Sequence, residues 1–347
     1  MKNLRVDYYN RTFSHIYVEK GIWNHPRTQT VLGHFKEAKV VLIDHYKDMF
    51  CRSRQDYKKQ HFSQNLILAA KHGNLIYEGA PVCQNFGNAY FYYTSCMMNC
   101  VYDCEYCYLK GMYPSGNMVV FVNLEDVFEE TKGLLLSHPV YLCVSYDTDL
   151  LAMEGLMGYV KEWTAFVKEQ NARGWNKLNI EIRTKSANRE FIKQTEVQRE
   201  IIYAFTLSPE RIIEAYEHGT PSLSQRLTCA AEAVAAGFSV RLCFDPMIYC
   251  TGWEEEYEKM LHQVFDTIDM KKILDVSVGT FRVSQDYLKK MRKCEPDSAV
   301  VQFPYENEGG VYHYPAVLMG RMENFLVERL KEKLPEEKIF RWEKQAE

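Results

Sequence analysis

From residue 90 onward the chain repeats one pattern, a short β-rich run followed by a longer stretch of helical periodicity. "YFYYTS" (90–95) leads into a cysteine-rich segment, and "MVVFVN" (118–123) runs into "LEDVFEETKGLLL". "VYLCVSYD" (140–147) precedes "LLAMEGLMGYVKEWTAFVKEQ", and "KLNIEIRTKS" (177–186) precedes "NREFIKQT". "EIIYAFTLS" (200–208) precedes "PERIIEAYEHG" and then "SLSQRLTCAAEAVAAG". "FSVRLCFDPMIY" (238–249) precedes "EEEYEKMLHQVFDTI", and "ILDVSVGTFRV" (273–283) precedes "QDYLKKMRKC". Such alternation marks parallel βα units. Six or seven units are too few for the eight of a complete TIM barrel. The expected fold is therefore α/β: a partial (β/α)6-type TIM barrel over residues 89–285, behind a small, basic N-terminal α/β region (1–88) with strands at "KVVLID" and "NLIYEG". In the C-terminal region (286–347), "YENEGGVYHYPAVL" reads as a β-hairpin turning at Gly309-Gly310, with a terminal helix after it.

Chemistry in such barrels sits at the C-terminal ends of the strands. Just past the first strand lies "TSCMMNCVYDCEYCYLKG" (94–111), with Cys96, Cys100, Cys104 and Cys107. No run approaches the ~18–20 apolar residues of a membrane helix. The N-terminal "MKNLRVDYYN" has no apolar signal core, so a cytoplasmic location is expected. Thiols stay reduced there, and eleven cysteines, an odd number, argue against a disulfide framework. Zinc is the serious rival. Structural zinc sites split their ligands into separated C-x2-C-type pairs, whereas the spacing here is C-x3-C-x3-C-x2-C with no second pair close behind. Without Cys96, the loop offers Cys100, Cys104 and Cys107 to three irons of a 4Fe–4S cube. The fourth iron is then open to a small-molecule ligand, unlike a fully ligated electron-transfer cluster.

Net charge is −4, unpromising for a nucleic-acid binder, but residues 1–75 hold 13 Lys/Arg against 6 Asp/Glu. Within them "DHYKDMFCRSRQDYKKQHF" (44–62) mixes cations with aromatics, a composition suited to phosphates and bases. From charge alone the plainer reading, a solvated helix face, is favoured. The ten histidines show no paired metal-binding spacing, and Cys51, Cys229 and Cys294 read as packing residues.

C-x3-C-x2-C after the first strand of a βα barrel resembles the radical S-adenosylmethionine (SAM) superfamily. The resemblance extends to the spore photoproduct lyase family over roughly residues 65–330. It is carried by "CEYCYL" (104–109) with the downstream "VVFVNLEDV", by "RTKSAN" (183–188), by "FTLSPERIIEAYEHGTPSLSQRL" (205–227) and by "DPMIYCTGWEEEY" (245–257). It implies an enzyme of DNA repair, a carbon–carbon lyase that reverts 5-thyminyl-5,6-dihydrothymine in spore DNA to two thymines. The cofactors implied are a 4Fe–4S cluster and SAM. The reduced cluster cleaves SAM to a 5′-deoxyadenosyl radical that takes a hydrogen from the lesion; a hydrogen is later returned to the product radical, and SAM is regenerated. The partners implied are double-stranded DNA carrying the lesion and an electron donor such as flavodoxin or ferredoxin; a monomer suits such a task. Two alternatives stand beside this: a related radical SAM enzyme with another nucleic-acid or small-molecule substrate, and a zinc- or cluster-stabilised nucleic-acid-binding protein.

Residue by residue, the resemblance maps Cys100, Cys104 and Cys107 onto the cluster ligands. It sets Tyr106 near SAM, with Tyr106 and Tyr108 relaying a hydrogen atom during SAM regeneration. Lys185 and Ser208, at strand ends, correspond to residues that contact SAM's carboxylate and ribose, and Thr148 to a SAM-contacting serine. One position departs from the pattern. Three residues before Asp149, where the best-known members carry their hydrogen-donating cysteine, this chain has Tyr146. Cys83, in "GAPVCQNFG", is the first candidate to replace it and Cys96 the second. Cys143, Cys243, Cys250 and Tyr146 itself come after them. A C-terminal hairpin wedges into DNA in the family. "ENEGGVYHYP" (306–315) supplies Tyr312, His313 and Tyr314 but lacks the usual arginine, for which Arg321 is a substitute.

Overall fold

The computed structural model describes residues 13–79, 83–174 and 176–342. Two sheets organise it. The larger has eight strands: β4 (Ile76–Glu78), β5 (Phe91–Thr94), β9 (Val140–Cys143), β10 (Leu178–Thr184), β11 (Ile201–Thr206), β13 (Ser239–Met247), β14 (Asp275–Thr280) and β18 (Ile339–Arg341). Neighbours from β5 to β14 pair parallel, giving the six strands of the expected partial barrel. β4 adds antiparallel at one edge and β18 parallel at the other. Helices cover the outer face, so the parallel strands bury both sides and read as continuous apolar runs. β11, "IIYAFT", is buried at every position.

The smaller sheet runs β2 (Lys39–Ile43), β1 (His15–Glu19), β3 (Leu66–Ala69), β8 (Met118–Phe121), β6 (Met97–Met98). β8 is the strand read from sequence as the second barrel unit. It pairs instead with β3, Leu66 opposite Met118, through an apolar run buried at all four positions. The cysteine segment thus leaves the barrel sheet at Thr94 and enters the small sheet. Hydrogen-bonded strands from both sides of residue 88 share each sheet. Among the described residues, no helix is long and apolar enough to cross a membrane.

Two minor ladders complete the frame. β7 (Asp103–Cys104) pairs with β12 (Glu217–His218). β15 (Arg282–Ser284), β17 (Val311–His313) and β16 (Glu306–Glu308) form a three-stranded ladder. The expected hairpin is present, and its turn needs positive φ at both central residues; Gly309 at 59° and Gly310 at 83° supply it. The terminal helix comes next, at Ala316–Lys331.

The helical stretch after β9 breaks at Gly158, φ 66°, before the helix Tyr159–Ala172. The buried Glu154 carboxylate accepts from Val160 N (2.7 Å) and Lys161 N (3.0 Å), capping that helix. Burial raises its carboxyl to about 7. An unfolded glutamate titrates near 4.3, so the folded chain holds a proton that the unfolded one has lost. Stability is therefore expected to fall as pH rises from about 4.5 to 7, by roughly 3 kcal/mol. Urea midpoints across that window should show the slope in the parent and lose it in Glu154→Gln.

Candidate active site

The cysteine loop is held open by its own backbone chemistry. Asn99 turns it in the left-handed conformation, φ 67°, which asparagine tolerates better than most residues. Its fully buried amide donates to Ser115 O (2.7 Å) and Asn117 O (2.6 Å) and accepts from Tyr57 Oη (3.1 Å). His61 Nε2 (3.0 Å) and Gln64 Nε2 (3.1 Å) both reach Cys100 O. Phe50, Tyr57 and His61 therefore point inward, while Lys47, Arg52, Arg54 and Lys59 face solvent. The basic segment is a charged outer face over a wall of the loop; most of its aromatics turn inward, while Phe62, 90% exposed, stands outward among the cations.

Cys100, Cys104 and Cys107 lie on this loop as free thiols. Tyr102 N donates toward Cys100 Sγ at 3.4 Å. Burial lifts the Cys104 thiol to about 12, and the Lys185 ammonium pulls it the other way. Burial also raises Cys107, against the Leu109 backbone N–H, Lys185 and Lys110. Backbone N–H groups and a cation directed at the thiols of this loop suit thiolate ligands, so the donor set fits an iron–sulfur cluster. Among the described residues, no three His, Cys, Asp or Glu side chains are grouped as ligands of a single metal ion.

Three contacts fasten the loop from outside. β12 pairs Glu217 opposite Cys104. Lys110, 3 % exposed, bridges Asp103 (2.7 Å) and Glu295 (2.5 Å), and Lys58 joins Glu295 from the other side (2.7 Å). Gly111 passes so close to Tyr287 that a Cβ would stand 2.5 Å from its carbonyl oxygen. The cysteine loop is thereby pinned to the helix Gln285–Cys294 and its C-cap, Glu295.

Beside the thiols, four side chains converge on one buried carboxylate, Glu217. Tyr106 Oη donates to it, Ser208 Oγ donates at 2.8 Å, Arg226 pairs at 2.5 Å and Lys185 Nζ stands 4.0 Å away. Lys185 also lies 5.2 Å over the Tyr106 ring. Arg226 holds the Glu217 carboxyl at about 2 against the upward push of burial. Asp149 fixes the end of β10 by accepting from Thr184 Oγ1 and Lys185 N, both at 2.7 Å. Thr148 sits two residues past Tyr146, and its buried Oγ1 has no partner. Tyr106, Lys185 and Ser208 are thus brought together, with a spare hydroxyl at Thr148. Glu217 is the organiser that sequence reasoning missed; its signal is "EHGT" (217–220), within the 205–227 stretch that carries the family resemblance.

At the C-terminal end of β9, Cys83 Sγ lies 3.5 Å from Tyr146 Oη. Tyr108 Oη donates to Tyr146 O at 2.5 Å, and the Tyr146 ring stacks on Tyr93 at 4.1 Å. Cys83, Tyr146 and Tyr108 form one contiguous group. Cys96 lies elsewhere: it is 1 % exposed in the main hydrophobic core, and burial raises its thiol to about 11. Cys143 and Cys243 project from barrel strands and are also raised by burial. Residues 80–82, including Pro81 of the Cys83 segment, lie outside the described residues.

The hairpin differs from a basic wedge. Glu306, Asn307 and Glu308 are exposed, and Tyr314 is buried against Phe303 and Tyr305, accepting from Tyr249 N (3.0 Å). Arg321, on the terminal helix, pairs with Glu254 of the helix Trp253–Thr267.

A family model described as spore photoproduct lyase matches residues 14–339. The spore photoproduct lyase of Clostridium acetobutylicum is 23% identical over 222 residues, and that of Bacillus subtilis 22% over 199. The first alignment covers 62% of both proteins and the second 56%, so each spans less than two thirds of the relative. A solved spore photoproduct lyase mutant with bound AdoMet and dinucleoside spore photoproduct superposes with a TM-score of 0.78 at 16% identity, covering 96% of this chain and 98% of that one. A spore photoproduct lyase complexed with dinucleoside spore photoproduct gives 0.77 at 15%, with the same coverage.

Proposed function

The chain belongs to the spore photoproduct lyase family, and on that premise we propose that it reverts the thymine dimer 5-thyminyl-5,6-dihydrothymine to two thymines. The observation that carries the reading is the Cys83–Tyr146 contact, because it supplies a hydrogen donor where the family's usual cysteine is missing. Cys100, Cys104 and Cys107 would hold a 4Fe–4S cluster. Lys185 would pair with the carboxylate of SAM, a charge-assisted contact, while Ser208 and the unpartnered Thr148 hydroxyl offer polar contacts. When bound, these two cofactors supply the chemistry that removes a hydrogen atom from the lesion.

The later steps fall to the chain's own residues. Once the bond between the thymines has broken, the product carries an unpaired electron on carbon. Cys83 gives up its S–H hydrogen, forming the C–H bond and leaving the electron on sulfur. The O–H of Tyr146, 3.5 Å away, would restore the thiol and leave the unpaired electron on the Tyr146 oxygen, to be consumed when SAM is regenerated; Tyr108 donates to the backbone carbonyl of Tyr146, with the two rings 5.9 Å apart. Double-stranded DNA is the substrate we propose, approached without an arginine at the hairpin tip, and a flavodoxin- or ferredoxin-like protein the electron source.

The test is anaerobic turnover of a synthetic spore-photoproduct dinucleotide with reconstituted protein, SAM and dithionite, for parent and Cys83→Ala. Clean repair by the parent, with by-products or excess SAM consumption in the variant, supports both substrate and donor. Release of 5′-deoxyadenosine from both while the lesion survives would redirect the enzyme to another substrate.

A further inference from the structure

The turn that carries Cys83 contains an anomaly. Phe86 has φ 51°, a conformation in which a bulky side chain is disfavoured. Nothing in the turn's own hydrogen bonding calls for phenylalanine. Asn85 Oδ1 accepts from Gly87 N (3.0 Å), and Asn88 donates to Asn85 O and Phe86 O. Glycine at position 86 would satisfy the same bonds without the backbone penalty. The ring is what distinguishes the residue, and its seat is specific. It lies 3.2 Å from Arg241 Cζ, edge-on to Phe340 of β18 at 5.3 Å, and 6.3 Å from Tyr141 of β9. It therefore bridges side chains of β9, β13 and β18, strands that are not neighbours in the sheet.

The platform beneath it is rigid. Arg241, 2 % exposed, is held by Asp275 on two nitrogens, by Glu181 (2.6 Å) and by Tyr141 Oη (2.6 Å). A neutralised guanidinium is a good stacking face for an aromatic ring. Gln84 adds a second fastening, donating to Arg341 O of β18 at 2.7 Å.

We propose that Phe86 is a positioning residue: by locking the 83–88 turn onto Arg241 it sets the Cys83 thiol against Tyr146. The inference rests on the reading of Cys83 as hydrogen donor. A thiol on an unanchored turn would meet the product radical in the wrong place or too late, so the enzyme would consume SAM without completing repair.

The experiment compares Phe86→Gly, which removes the ring and relieves the backbone, with Phe86→Leu and the conservative Phe86→Tyr, all as reconstituted holoenzyme. Three quantities are measured. They are the rate of Cys83 alkylation by iodoacetamide, tracked by peptide mass spectrometry; SAM consumed per dinucleotide repaired; and iron content with Tm. The expected result is unchanged iron content in Phe86→Gly, a Tm lowered by loss of the buried ring, severalfold faster Cys83 alkylation and a severalfold rise in SAM per repair. Phe86→Leu should be intermediate, and Phe86→Tyr should restore the parent values. Unchanged alkylation and SAM ratio in Phe86→Gly and Phe86→Leu would overturn the proposal. So would parallel loss of iron and Tm in both with no selective effect at Cys83, since the ring would then merely fill space. If Cys83→Ala repairs as cleanly as the parent, the donor reading fails, while the alkylation rates still decide whether Phe86 seats the thiol.

Discussion

Cys104→Ala is expected to give a folded protein that binds less than the full iron complement, releases no 5′-deoxyadenosine and repairs nothing. Cys104 is the middle thiol of the three, set in the β7–β12 ladder opposite Glu217. Removing one sulfur from a small buried residue costs stability on the order of 1 kcal/mol, so the backbone of the loop should survive. The missing thiolate, by contrast, cannot be replaced by any other side chain of that ladder. Iron per chain after anaerobic reconstitution is the direct measurement, with Cys229→Ala as a control: that thiol is buried beside Asn188 O, far from the loop in sequence. Full iron and normal turnover in Cys104→Ala would remove the three thiols from the role assigned to them.

Arg226→Met is expected to destabilise the protein by about 3–5 kcal/mol, the usual cost of leaving a buried charge unpaired. Both Arg226 and Glu217 have fully buried side chains. Arg226 also donates to Pro221 O (3.0 Å), Thr206 O (3.1 Å) and Thr220 Oγ1 (2.7 Å), so its loss strands acceptors as well as the carboxylate. Lys185 faces the carboxylate at 4.0 Å but makes none of the hydrogen bonds that Arg226 makes to Glu217, Pro221 O, Thr206 O and Thr220. The double variant Arg226→Met/Glu217→Gln should regain part of the loss, because the amide carries no charge to strand. Urea unfolding of the three proteins measures this; a cost below about 1 kcal/mol for the single variant would mean that Glu217 is not held as an ion. SAM affinity should fall in the same variant, since Tyr106, Ser208 and Lys185 all take their positions from Glu217.

The barrel was legible because buried parallel strands leave continuous apolar runs, and the helices between them a different period. The hairpin was legible because two adjacent glycines meet the positive φ of its turn. That Cys100, Cys104 and Cys107 share one loop just past the first barrel strand was legible from their spacing. What stayed hidden depends on partners remote in sequence. "MVVF" says that a strand is buried on both faces but not which sheet buries it, and β8 joined the other one. Glu217 is a single acid near a helix end, and only the folded chain brings Arg226, Tyr106 and Ser208 to it. Lys110 and Glu295 are 185 residues apart, and nothing local marks either as buried. The Tyr146 departure pointed to a replacement thiol and the loop chemistry around Cys83 put it ahead of Cys96, but the Cys83–Tyr146 contact and the burial of Cys96 in the core are visible only in the folded chain.

The path of the cysteine loop from one sheet to the other has a bearing on modularity. A nick near residue 88 would not release two halves that fold alone. The upstream fragment would lose β8 and leave the edge of β3 bare, and the downstream fragment would carry β6 and β8 without β3 to receive them. Both would expose unpaired, apolar strand edges, the kind of surface on which chains aggregate. The cysteine loop is thus also the seam of the molecule, and an insertion or cut that spares every thiol but parts the two sheets should still scatter the ligands.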